Sequence, residues 1–151
     1  MKRSATAVVV ALALGVAAGT VFAQAKPEQL VKQRQAVMTL QGKYFGPMAA
    51  MAQGKAPYNA DVVKRNAAYL DNLSRMPWDG FDAGTKDVKS AALPAIYEQT
   101  DKFKEAASRL ENESHKLYQV AQSGDEAAVK AQIGAVGKAC GACHNDFRQK
   151  Q

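Results

Sequence analysis

The chain has only two cysteines, Cys140 and Cys143, and His144 follows the second directly. Residues three or four apart on a helix project from nearly the same face. A helix here would present both sulfurs and the imidazole together, and the neighbouring residues favour one. Val129, Ile133, Val136, Cys140, Cys143 and Phe147 recur at intervals of four and three, the period of a buried helical stripe. Gly124-Asp125 suits its start, because an aspartate before a helix accepts hydrogen bonds from the free amides of the first turn. Seven residues follow His144, so the motif lies at the end of the last element.

The rest of the chain reads as helical too. Ala, Lys, Gln, Glu and Leu are plentiful and β-branched alternation is scarce. A first helix opens at Lys26-Pro27-Glu28, with proline at the favoured first position and an acid in the first turn. Gly46-Pro47 is expected to bend it and Gly54 to stop it. A second begins near Asn59, with Val62, Val63, Asn66, Ala67, Leu70 and Leu73 on its inner stripe as far as Met76-Pro77. From Pro77 to Leu93 the pattern breaks. That connection is longer than the 2–8 residues usual in bundles, and Trp78 and Phe81 suggest that it covers something. A third helix is expected from about Leu93 to Ser123, with Ile96, Phe103, Leu110 and Leu117 in one seam at intervals of seven. The expected fold is all-α: an antiparallel up-down-up-down four-helix bundle whose last helix carries the motif.

The N-terminus reads as an address label. Lys2 and Arg3 precede an uncharged run from Ala7 to Ala18, and Val21-Phe22-Ala23 suits signal-peptidase cleavage before Gln24. Residues 1–23 are therefore expected to be a cleaved signal peptide and residues 24–151 a single domain in the periplasm. The alternative, an uncleaved anchor, is disfavoured because the run is short for a membrane span. Removing the leader leaves 18 basic and 14 acidic residues, a formal charge of +4. That mild surplus suits a soluble surface or an acidic partner. No nucleic-acid motif occurs, and no membrane contact is expected after cleavage.

In an oxidising compartment two cysteines usually form a disulfide, but C-x-x-C-H is the attachment signature of a c-type haem. Two sulfurs three residues apart reach the two vinyl groups on one porphyrin edge, and His144 comes to lie under the iron. The cofactor implied is haem c, covalent and one per chain, with His144 as the proximal axial ligand. A thioredoxin-like pair would sit at the start of a helix after a strand, not at the end of an all-helical chain. A zinc site would lack ligands, since His115 is the only other histidine. His115 lies off the hydrophobic seam and reads as a surface residue, although it stays a formal second axial ligand.

The motif's position, with Lys26-Pro27-Glu28, Arg34-Gln35, Gly54-Lys55-Ala56-Pro57-Tyr58, Leu73-Ser74-Arg75-Met76-Pro77-Trp78, Phe81, Gly84-Thr85 and Phe147-Arg148, resembles the class II cytochromes c, especially the cytochrome c′ branch. The resemblance covers essentially all the chain after residue 23, and the haem motif is its specific part. It implies a homodimer packed through the first two helices and a haem whose distal face lies against the first helix. It also implies that Arg34 and Gln35 lie near the haem propionates and that Arg148 lies beside the proximal imidazole. Met38 falls at the distal position, where some class II relatives use a methionine to ligate iron and the cytochromes c′ leave it noncoordinating. The helix and loop sequences favour the latter.

The expected function is a periplasmic mono-haem cytochrome that transfers single electrons, binds a small gas such as NO or CO, or does both, with periplasmic redox proteins as partners. The alternatives are a low-spin His/Met carrier of the c-556 type, a thiol-disulfide protein using Cys140 and Cys143, and a helical adaptor. Neither a nucleophile with its base nor a phosphate loop occurs, so no enzyme is expected.

Overall fold

The computed structural model describes residues 25–150; the expected signal peptide lies outside them. Helix α1 spans Pro27–Ala52, α2 Ala60–Leu73, α3 Ala95–Glu98, α4 Thr100–Ser123 and α5 Glu126–Phe147. The four long helices close a ring: α1 packs against α2 and α5, and α4 packs against the same two. This is the expected bundle.

Local chemistry sets the boundaries. Pro27 opens α1, and Gly54 ends it at φ 71°. The Gly54 amide donates to Met51 O and the Lys55 amide to Ala50 O, the paired bonds that satisfy a helix's last carbonyls. Pro47 does not interrupt α1, although without an amide it leaves the Lys43 carbonyl without its helical donor. The Asn59 side chain caps α2 through the Val62 amide at 3.0 Å. Asp125 caps α5 through the Ala128 amide at 3.0 Å.

The expected third helix is not continuous. Gln99, at φ −120° and ψ 51°, leaves helical geometry and separates α3 from α4. The expected seam divides: Ile96 and Phe103 pack with Phe147 in a cluster at one end of the bundle. Leu110 and Leu117 belong to the main core, with Met48, Leu70, Val129 and Ile133. The second helix ends at Leu73, short of Met76-Pro77. Beyond it the long connection forms two short turns of 3₁₀ helix, Trp78–Phe81 and Ala83–Thr85, which pack on α1.

Candidate haem site

A cavity of about 580 Å3 opens between α1, α5 and the long connection, within the range of small-molecule sites. All seven of the expected site residues line it. Arg34, Gln35 and Met38 come from α1, Cys140, Cys143 and His144 from α5, and Arg148 from the residue after α5. The remaining wall is largely apolar, with Phe45 and Leu70 on one side and Ile96, Phe103 and Phe147 on another.

The helical spacing brings Cys140 and Cys143 to this wall half-buried and unpaired. Burial raises the Cys140 thiol. Burial first, then the neighbouring Cys140 and Asp146, push Cys143 up to about 11. Both are therefore neutral thiols near pH 7, the reverse of the acidified cysteine that thiol exchange requires. His144 shifts the other way. Much of the residue is exposed, yet desolvation of its ring and, after it, the Arg148 charge lower its pKa. The imidazole is thus neutral at pH 7 with a lone pair free for a metal.

Arg34 is buried at 3 % exposure. Its Nη1 donates to Gly80 O and to Thr85 Oγ1, and its Nη2 to Ser90 Oγ at 3.0 Å. The guanidinium also sits 4.3 Å from the centre of the Phe81 ring. Two of its five N–H groups are left for another acceptor. Gln35 and Arg148 are exposed at the cavity rim, and Met38 is half-buried within it.

The sequence reading cast Trp78 only as cover. Its Nε1 is buried with no acceptor, and the side chain lines the cavity. Ser90 was missed altogether. His115 lies elsewhere: Nδ1 is 3.1 Å from Asp71 Oδ2 and Nε2 is 3.1 Å from Gln119, on an exposed face. It does not line the cavity, which removes it as a second axial ligand. Among the described residues no group of three His, Cys, Asp or Glu side chains could hold a metal ion.

The donor set fits haem. Two thiols and a neutral imidazole share one wall, apolar side chains offer a bed for a flat ring, and Arg34 and Gln35 suit its carboxylates.

Comparison with known proteins agrees. The family model described as Cytochrome C′ matches residues 29–148. A cytochrome c′ of Rubrivivax gelatinosus is 40% identical over 126 residues, 83% of this chain and 98% of its own length. A cytochrome c-556 of Agrobacterium tumefaciens is 34% identical, over 80% and 98% of the respective chains. The solved nitric oxide complex of a point mutant of cytochrome c prime from Alcaligenes xylosoxidans superposes with a TM-score of 0.77 at 38% identity, covering 83% of this chain and 98% of that one.

Proposed function

The chain belongs to the cytochrome c′ family, and on that premise we propose that it is an exported, periplasmic mono-haem protein that passes single electrons and takes up NO or CO. The observation that carries the reading is the convergence of Cys140, Cys143, His144, Met38 and Arg34 on one cavity. Bound there, haem c supplies an iron that cycles between ferrous and ferric states and takes a diatomic gas when its sixth position is open.

The chain's own residues fit that chemistry. Cys140 and Cys143 would hold the ring to α5 as thioethers, each S–H adding across one vinyl group. His144 gives the iron a neutral nitrogen. Arg34 brings a buried positive charge and two unengaged N–H groups to the propionates, with Gln35 as a further donor. Arg148 shares the cavity wall with His144, and its charge adds to the desolvation that lowers the imidazole's pKa. Met38, which lines the cavity from α1, would pack over the ring without a strong bond to iron. The related protein solved with nitric oxide supports the gas-binding part.

The presence of Met38 in the cavity also favours one second reading, a low-spin carrier whose thioether ligates iron, stabilises the ferrous state and blocks gas. Absorption spectra of the purified ferric and ferrous protein, with and without carbon monoxide, separate the two. The open-site reading expects a ready shift of the ferrous spectrum with carbon monoxide. A methionine-to-iron charge-transfer band that vanishes in Met38→Ala would establish the carrier instead. A secreted product whose mass is that of bare polypeptide would overturn both.

A further inference from the structure

We propose that Ser90 is a positioning residue: with the backbone of residues 91–93 it ties α1 to the tail beyond His144, so one strap sets both Arg34 and the haem-ligating turn. The inference rests on His144 as the iron ligand. At one end of the strap, Arg34 Nη2 donates to Ser90 Oγ at 3.0 Å, and the Ala92 amide donates to the same oxygen at 3.3 Å. At the other end, the Leu93 amide donates to Phe147 O at 3.0 Å and the Gln149 amide to Ala91 O at 2.9 Å. Ala92 and Arg148 thereby form an isolated antiparallel bridge. Ser90, Ala91 and Ala92 line the same cavity as His144 and Arg148.

The strap matters because of where α5 stops. His144 lies in its last turn, and the bond from the Arg148 amide to His144 O, at 3.2 Å, closes the helix. Terminal turns fray when nothing holds them. Among the described residues, the two bridge bonds are the only backbone hydrogen bonds between this tail and another segment. Loosening the strap releases Arg148 and lets the His144 turn open, changing the direction from which the imidazole meets iron. Ser90 controls that strap from its far end, through a buried guanidinium that belongs to α1.

The test uses the haem-loaded protein. In Ser90→Ala, Arg34 keeps Gly80 and Thr85 as partners, so the bundle is expected to stay folded. Amide hydrogen exchange at Leu93 and Gln149 is expected to quicken about fivefold or more. The iron–histidine stretching band of the ferrous protein in resonance Raman is expected to shift or broaden. Ser90→Thr, which keeps the hydroxyl, restores both. Gln149→Pro is the independent arm. It deletes the amide that reaches Ala91, while Arg148 already has the extended geometry that a following proline demands, φ −127° and ψ 139°. It is expected to move the same band without touching Arg34. Unaltered exchange at both amides in Ser90→Ala overturns the proposal, as does faster exchange with an unmoved band. If Ser90→Ala yields no folded holoprotein, the nearly isosteric Ser90→Cys, a weak acceptor, is read in its place by the same two criteria. A His144→Ala holoprotein with the absorption spectrum of the unaltered protein would refute His144 as ligand, and the inference with it.

Discussion

At the scale of the residue, the two sulfurs are held in a form suited to attachment and unsuited to exchange. Cys143, pushed up to about 11 chiefly by burial, and Cys140, raised by the same cause, sit in the last turns of α5. There the negative end of the helix dipole opposes a thiolate further. An ordinary cysteine titrates near 8.5, so with Cys143 at about 11 its thiolate fraction at neutral pH is lower by more than about a hundredfold. In a chain recovered without haem, alkylation of Cys143 by iodoacetamide is therefore expected to be slow at pH 8 and to climb toward pH 11. Alkylation at pH 8 at the rate of a free cysteine would refute this. The linked stability effect has a definite sign. The native state keeps a proton that the unfolded state releases above about pH 8.5, so this contribution is present below that value and is lost as pH rises through about 11. In the haem-loaded protein neither sulfur alkylates at any pH, because both are already bonded to carbon.

At the scale of the element, the connection from Pro77 to Leu93 is held on α1 by one residue and one missing side chain. A Cβ at Gly80 would lie 2.8 Å from Arg34 Cβ and 3.0 Å from Leu30 O. Gly80→Ala must therefore push the first 3₁₀ turn away from α1, at a cost of about 1–3 kcal/mol. Arg34→Ala removes three hydrogen bonds and the contact with Phe81, a loss of about 2–4 kcal/mol. Arg34→Lys is expected to recover only part of it, since an ammonium cannot span acceptors spread over Gly80, Thr85 and Ser90. Denaturant midpoints of the three variants check the order, and a wild-type midpoint for Gly80→Ala would show that the close approach is slack. This layer was only partly legible in the sequence. Cys140, Cys143 and His144 were readable because their geometry is local to one helix, and the Asp125 cap and the start of α2 near Asn59 for the same reason. Met38, Gln35 and Arg148 came from family resemblance, and the structure brings them to the cavity wall without a pattern in the chain announcing it. The Arg34–Ser90 bond spans 56 positions, and no spacing rule reaches that far. The break at Gln99 is masked by the heptad, which runs unbroken from Ile96 to Leu117, although Thr100 and Asp101 beside it are poor helix formers suited to a helix start.

At the scale of the whole molecule, the cavity divides the hydrophobic core. The larger cluster runs through α1, α2, α4 and α5, and the smaller one gathers Ile96, Phe103 and Phe147, while Trp78 packs against both. Between them the cavity is walled by Leu70 and Leu110 from the first cluster and by the three residues of the second. A bound haem would put its apolar ring in contact with both and complete one continuous core, so that each cluster stabilises the other through dispersion and excluded water. Without it, the small cluster rests on its own aromatic contacts, Phe103 to Phe147 at 5.3 Å and Phe103 to Phe81 at 4.9 Å between ring centres, and on the terminal bridge. Replacing Cys140 and Cys143 by alanine prevents covalent attachment while leaving the helix face apolar. In that variant, amides of Ile96 and Phe147 are expected to exchange far faster than those of Leu117 and Ile133, because the end cluster opens below the free energy of global unfolding. In the haem-loaded chain the two sets are expected to converge on one global value. Equal protection of both sets in that variant, purified free of noncovalently held haem, would mean that the clusters already cooperate through Trp78, and that haem fills the core without unifying it.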